Sequence, residues 1–350
     1  MKKSALILPV LLILAAITAC AFSRQLNLPT STPAASIGAG TPSNCPASFP
    51  VAFRVAVFSG VKTALWYPSA TPEQPFAYSR DISTSLAKDG QPLTGCGTFP
   101  LVIFSHGLTG CGTQSIFFTE TLARHGYVVA APDHQDALLC SVDGTPQTFA
   151  TATEPAIMDP KTWNDTSYVS RKDDIEHVLD GVLQDSQLQP IIDPAQIGIA
   201  GHSLGGYTAL AMVGGWLTWK DPRFKAALLL SPYSMPFSIQ NTLGGVNVPL
   251  MYQGAQGDIG ITPFLEGRLG AYANSEAPKY FVKLLGGNHF TWTNAVCYKL
   301  LVLADCLQSR PEAQLINEYA FAFFDHYLKG IAEPVLATPN SALAGFQYQP

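Results

Sequence analysis

Short runs rich in Val, Ile, Leu and aromatic residues alternate along this chain with stretches of helical period, and that alternation restricts the fold more than any other feature. The strand-like runs cover 53–58, 64–67, 101–105, 127–131, 197–201, 226–230, 250–253 and 280–285, and helical patterns cover 115–125, 171–184, 204–216 and 312–327. Strands that are apolar at almost every position are buried on both faces, so the pattern predicts an α/β fold with a mostly parallel sheet and helices on both faces. The first two runs follow each other without a helix between them, which predicts an antiparallel N-terminal edge.

At 350 residues, with 47% hydrophobic and 13% charged side chains, the chain has ample material for a core and is excluded from the disordered class. A formal charge of −5 excludes binding to nucleic acid through a basic surface. No internal repeat or heptad run is present. Lys2 and Lys3 precede an apolar run over 5–19 that is too short to span a bilayer and ends in small residues, the pattern of a signal peptide. Its last residues, Ile17-Thr18-Ala19-Cys20, resemble the bacterial lipobox, in which a lipidated Cys20 becomes the new N-terminus; ordinary secretion with Cys20 discarded or buried is the alternative. Residues 20–48 are dominated by Ser, Thr, Pro, Ala and Gly and are expected to form a flexible tether.

Cys45, Cys96, Cys111, Cys140, Cys297 and Cys306 remain when Cys20 is set aside. An even number outside the cytoplasm favours disulfides, with neighbour pairing preferred: 45 with 96, 111 with 140 and 297 with 306; buried free thiols are the alternative. No Cys-x-x-Cys or His-x-x-x-His spacing occurs, so no metal site is expected.

In a parallel sheet, binding sites gather at the carboxyl ends of the strands. After the run at 197–200 comes Gly201-His202-Ser203-Leu204-Gly205-Gly206 and then a helical pattern, a G-x-S-x-G elbow in strand–turn–helix context. A β-carbon at residue 201 or 205 would crowd the adjoining strand and helix, which is why the turn carries glycine there. A serine hydroxyl is a weak nucleophile until a histidine held by a carboxylate takes its proton, and in this fold the chain order is Ser, Asp, His. Asp258 follows the run at 250–253 in a Gly-rich loop, and His289 follows the run at 280–285 in Gly286-Gly287-Asn288-His289-Phe290. They are the expected orienting acid and general base, although a plain turn aspartate also suits residue 258. His125, His177 and His326 sit in helical patterns and His134 in a post-strand turn; Asp221 is a turn residue and Asp305 lies beyond the base. The run at 101–104 ends in Ser105-His106-Gly107-Leu108, where the Leu108 amide, with that of Leu204, is the expected oxyanion donor; a simple tight turn is the alternative.

Together these motifs resemble the α/β-hydrolase superfamily over residues 52–328. More narrowly, Phe104 to Gly110 and Leu122 to Pro132 resemble platelet-activating-factor acetylhydrolases and bacterial predicted dienelactone hydrolases, while the elbow, the Ser231-Pro232-Tyr233 loop and the Gly-x-x-His-Phe loop are similar to bacterial cutinases and polyester hydrolases. The resemblance implies an α/β-hydrolase fold and cofactor-free ester hydrolysis. Two departures accompany it. Plasma-type acetylhydrolases carry their acid one strand earlier, where this chain has Ser231, and cutinases carry an aromatic residue where it has Leu108. Ser203 also separates it from the dienelactone hydrolases, which use cysteine.

Residues 141–170 run without periodicity and carry Phe149, Met158, Trp163 and Tyr168, a candidate substrate loop or a surface decoration. Tyr233, Phe237 and Trp292 are candidates for an acyl groove, with core packing as the alternative. The expected organisation is a lipoprotein signal peptide over 1–19, the tether over 20–48, a catalytic domain over 49–335 and a C-terminal tail over 336–350. The expected activity is that of a serine carboxylic ester hydrolase, lipid-anchored at the bacterial cell envelope facing outside the cytoplasm, or secreted. Its partners would be an ester substrate and a membrane through the anchor. Phospholipid acetylhydrolase, polyester hydrolase and a non-catalytic ligand-binding lipoprotein on the same scaffold are the competing readings.

Overall fold

The computed structural model describes residues 45–80, 82–145 and 154–350. The signal peptide, Cys20, most of the tether and Phe149 lie outside the described residues. Strands β1 (Val51–Phe58), β2 (Val61–Pro68), β3 (Gln74–Ala77), β4 (Ser83–Lys88), β5 (Phe99–Ser105), β6 (Val128–Pro132), β7 (Ile192–His202), β8 (Phe224–Leu230), β9 (Leu250–Ala255), β10 (Lys279–Leu284) and β11 (Leu343–Gln349) form one sheet in the order β11-β10-β9-β8-β7-β5-β6-β2-β1-β4-β3. From β6 to β10 every pairing is parallel.

The helices are α1 (Ile116–Arg124), α2 (Val169–Gln184), α3 (Leu204–Leu210), α4 (Met235–Gln240), α5 (Ala271–Asn274), α6 (Leu303–Ser309) and α7 (Pro311–Lys329). Side chains on a strand alternate between faces, so each central strand feeds two cores. In β5, Leu101 and Ile103 pack into the layer that also holds α2 and α3, whereas Val102 and Phe104 pack into the layer of α1 and α7. Both faces are therefore covered, and this is why β5 and β6 carry almost no polar side chain. Helix α7 shows why its ends fall where they do: Pro311 fits the first turn, where its missing N–H costs nothing, and Gly330 ends the helix at φ +68°. Helix α3 stops earlier than its periodicity predicts. It opens into a widened turn over Ala211–Gly215, where Gly214 takes φ +119°.

Three segments differ from expectation. Strands β1 and β2 are antiparallel, but they are not the edge of the sheet, because β4 pairs with β1 and β3 with β4. Residues 336–350 are not a tail: β11 pairs antiparallel with β10, and Tyr348 stacks on Tyr280 at 4.5 Å between ring centroids. The edge strands β3 and β11, and β4 beside β3, are covered over only part of their length and carry polar residues elsewhere, so they lack the continuous apolar signal that marks the central strands. The third difference is the end of the expected tether, which is tied down at Cys45 by its bond to Cys96, the pairing the sequence favoured. The other bonds join Cys111 to Cys140 and Cys297 to Cys306, with Cα–Cα distances of 5.6, 5.5 and 5.2 Å for the three in chain order. Among the described residues no helix is long and apolar enough to cross a membrane.

Candidate active site

Strand β7 ends at His202 and α3 begins at Leu204, leaving Ser203 at φ +55°, ψ −115°, a backbone conformation that a side-chain-bearing residue adopts only when its surroundings impose it. They do so through three main-chain bonds. Ser203 N–H donates to Leu230 C=O at 3.0 Å, and Ser203 C=O accepts from Tyr207 N–H at 3.1 Å and Tyr233 N–H at 2.9 Å. The flanking glycines have no alternative: a Cβ on Gly201 would lie 2.1 Å from the Gly205 carbonyl oxygen, and one on Gly205 would lie 1.9 Å from that of Ser105. Ser203 thus projects from the carboxyl end of the sheet with the first turn of α3 behind it.

His289 follows β10 and opens a short helical turn, His289–Trp292, held by a reciprocal cap in which Asn288 Oδ1 accepts from Phe290 N–H and Thr291 Oγ1 from Asn288 N–H. Its Nε2 lies 2.8 Å from Ser203 Oγ. On the other side of the ring, Nδ1 lies 3.4 Å from Asp258 Oδ2 and 3.0 Å from Ser231 Oγ, and Ser231 Oγ itself donates to Asp258 Oδ2. Burial pushes the Asp258 carboxyl up, but the hydrogen bonds from His289 and Ser231 outweigh it and hold the group below the usual carboxylate range. The three residues expected from chain order are therefore in one line, with Ser231 beside it. Ser231 is the position at which plasma-type acetylhydrolases carry their acid, but the Ser-Pro-Tyr stretch alone does not distinguish a relay contact from a turn.

The loop after β5 approaches the elbow closely: a Cβ on Gly107 would lie 3.0 Å from His202 Nδ1. The next residue, Leu108, lines the cleft, and its N–H and that of Leu204 have no acceptor among the described residues. The first N–H groups of a helix lack intrahelical partners, which leaves Leu204 free to donate outward. Gln114 and His202 tie this loop to the base. Gly107 N–H donates to Gln114 Oε1 at 3.2 Å, Gln114 Nε2 lies 3.0 Å from His202 Nδ1, and His202 Nε2 lies 2.8 Å from the carbonyl of His289. Burial, with the neighbouring His289 ring adding to it, lowers the His202 pKa to about 3, so His202 is neutral. Its proton must then sit on Nε2, which faces a carbonyl, and Nδ1 accepts from Gln114.

Behind the same loop lies a buried polar cluster. Arg171 Nη1 donates to His106 C=O at 2.8 Å and Nη2 to Gly107 C=O at 3.3 Å, while its Nε and Nη2 also engage Asp136 at 3.1 and 2.7 Å. Asp136 accepts from Thr109 N–H as well. Burial raises the Asp136 pKa, but the charge of Arg171 outweighs that and the carboxyl is held ionised. His134 bridges Ser105 Oγ at 2.8 Å and Asp174 Oδ2 at 3.0 Å, a second Ser, His, Asp array. All three members are buried, so this array has no access for a substrate.

Ser203, Asp258 and His289 open onto a cleft of about 1010 Å³ whose lining includes Leu108, Leu139, Ile157, Tyr233, Ile259 and Phe290. Tyr233, a candidate for the acyl groove, borders the cleft but is only 2% exposed, with its ring against Trp163 and its hydroxyl on the Ile157 carbonyl. Phe237 and Trp292 do not: Phe237 is fully buried against Tyr207 and Trp216, and Trp292 is fully buried with its indole N–H on Gln253 Oε1. Aromatic rings close in sequence to a site face the core whenever the element carrying them packs inward, as α4 and the His289 turn do here. Within the 141–170 loop, Trp163 and Tyr168 are also core residues, Met158 is exposed, and Ile157 reaches the cleft.

Residues 57–151 match the family described as platelet-activating factor acetylhydrolase, isoform II. The chain is 24% identical over 283 residues to platelet-activating factor acetylhydrolase of Cavia porcellus, covering 69% of this chain and 60% of that protein. It is 25% identical over 229 residues to a cutinase of Thermobifida alba, covering 62% of this chain and 63% of the cutinase. The aligned regions thus span less than two thirds of either relative. Among solved structures, the ferulic acid esterase of Streptomyces cinnamoneus superposes with a TM-score of 0.65 at 22% identity, covering 89% of this chain and 98% of that one. The chain has the α/β-hydrolase fold, and the proteins to which it is similar are esterases.

Proposed function

We propose that this chain is a serine carboxylic ester hydrolase working through an acyl-enzyme. The observation that carries the reading is the 2.8 Å contact between Ser203 Oγ and His289 Nε2 at the floor of the cleft. As Ser203 Oγ bonds to the ester carbonyl carbon, its proton passes to His289 Nε2, and the carbonyl electrons move onto the oxygen, which the amides of Leu108 and Leu204 stabilise. The intermediate collapses, the bond to the alcohol oxygen breaks, and the alcohol leaves with the proton from Nε2. Water then attacks the acyl-serine by the same route, releasing the acid and restoring Ser203. Asp258 holds the imidazole in the orientation and tautomer that both steps require.

The cleft supports an ester with apolar parts. Leu139 and Ile259 are 78% and 82% exposed at its rim, with Phe290 and Leu108 beside them. The similarity to acetylhydrolases and cutinases supports a lipid or polyester substrate equally. The lipobox-like Ile17-Thr18-Ala19-Cys20 supports a place at the cell envelope through a lipid on Cys20. Labelling by a fluorophosphonate probe tests the catalytic reading: wild type should be modified on Ser203 and Ser203→Ala should be neither modified nor active on p-nitrophenyl esters. A folded wild-type protein that resists the probe would instead support a ligand-binding scaffold. Rates on an acetyl phospholipid and on a soluble polyester oligomer then separate the two substrate classes.

A further inference from the structure

We propose that Ser231 is a positioning residue of the relay, accepting the Nδ1–H bond of His289 while donating its own hydroxyl proton to Asp258, so that the acid acts on the base through a serine hydroxyl as well as directly. The inference rests on the catalytic reading above and extends it by one residue.

The proton count leaves one arrangement. An ionised carboxylate only accepts hydrogen bonds, so in the contact between Ser231 Oγ and Asp258 Oδ2 the serine is the donor. A hydroxyl has a single proton, and Ser231 therefore faces His289 Nδ1, 3.0 Å away, with a lone pair. Nδ1 must carry the proton, which leaves Nε2 unprotonated and directed at Ser203 Oγ, the tautomer a general base needs. N–H···O bonds cluster near 3 Å, so the Ser231 contact is the shorter and better placed of the two that Nδ1 makes, the other being 3.4 Å to Asp258 Oδ2.

The backbone supports the same conclusion. Ser231 is fully buried and sits at φ +45°, in the left-handed region, just after β8. Glycine would satisfy that conformation without strain; what serine adds is the hydroxyl. Ser231 N–H donates to Gln253 C=O in β9 at 2.8 Å, and the preceding residue, Leu230, supplies the carbonyl that holds Ser203 N–H. The residue is thus fixed between the strand that leads to Asp258 and the elbow that carries the nucleophile.

Ser231→Gly removes the hydroxyl and relieves the backbone, so loss of folding does not cloud the result. We expect its Tm to equal or exceed that of wild type, kcat to fall about tenfold with KM within twofold, and the acid limb of the kcat/KM profile to move to lower pH, because the imidazolium loses an acceptor. In an Asp258→Ala background the same substitution should cost less than about threefold, since the two groups act in series. A kcat within twofold of wild type, an unmoved acid limb, or full additivity with Asp258→Ala would each overturn the proposal. Failure of wild type to react with the fluorophosphonate probe would reject the catalytic reading itself, which is a distinguishable result.

Discussion

Arg171 grips the main-chain carbonyl of His106 from behind at 2.8 Å, although the arginine side chain is itself almost wholly buried. A guanidinium can bridge two successive carbonyls and a carboxylate at once, and here it does so for His106, Gly107 and Asp136. The peptide planes it fixes lead directly to the Leu108 N–H. Arg171 is consequently a support for the oxyanion loop, placed by a helix that begins more than sixty residues later in the chain.

Replacing Arg171 with Met should lower kcat by about tenfold to a hundredfold, below the roughly hundredfold to thousandfold cost of losing an oxyanion donor outright because the Leu108 amide itself remains, and leave KM less affected. Stability should also fall by about 3 kcal/mol, because Asp136 is left without its charge partner. Arg171→Lys should recover little of the rate, since an ammonium cannot span both carbonyls. Steady-state kinetics on a soluble ester and urea unfolding read the two effects.

Gln114→Ala removes both bonds of the strut between Gly107 N–H and His202 Nδ1. With the loop still held by Arg171, the expected loss in kcat is about threefold to tenfold, the equivalent of roughly one hydrogen bond. Kinetics at saturating substrate decide it, and a rate equal to wild type would show that His202 keeps its orientation without Gln114.

Burial raises the Asp174 pKa to about 7, with the positive charge of Arg171 opposing the shift and Asp136 adding to it; His134 and His177 also face the group. The folded state therefore favours the protonated carboxyl. That stabilising contribution is fully present below the unfolded carboxylate pKa and is lost as pH rises through about 7. Asp174→Asn, neutral throughout, should gain stability relative to wild type by about 2 kcal/mol between pH 5 and pH 8. Urea midpoints of both proteins at the two pH values test the sign as well as the size.

The disulfides close loops of very different length. For sequence separations of 51 and 9, chain entropy alone gives about 4 kcal/mol for Cys45–Cys96 and about 2.5 kcal/mol for Cys297–Cys306. Paired Ala replacements should follow that order in equilibrium unfolding. Equal losses would indicate that packing of the buried Cys297 and Cys306 dominates over loop closure.

What could be read along the chain was whatever a single stretch of backbone enforces. The elbow was legible because Gly201 and Gly205 are required by contacts only a few atoms away or on the neighbouring strand. The central strands were legible because burial on both faces leaves a continuous apolar run, and the positions of Asp258 and His289 followed from glycine-rich loops at strand ends. Contacts between distant segments left no local mark. Arg171 looks like any charged helix residue until Asp136 and the 106–107 carbonyls are beside it, and Ser231 marks only the place of a related family's acid until β9 brings Asp258 up to it. Phe237 and Trp292 failed as cleft residues for the same reason, since the direction a ring faces depends on what its element packs against.

Ser203, Ser231, Asp258 and His289 each follow one of β7, β8, β9 and β10, and those four strands are consecutive in the sheet. The loop after β10 therefore reaches back across the ends of β9 and β8 to set the His289 imidazole 2.8 Å from Ser203. The strand ends act as fixed launching points, and one loop closes the span between the outermost two. Rim residues such as Leu139 or Ile259 can be exchanged to retune selectivity while those launching points stay where they are, whereas a volume change deep among Leu228, Met251 and Val282 would shift the strands that launch Ser231, Asp258 and His289 together from a distance.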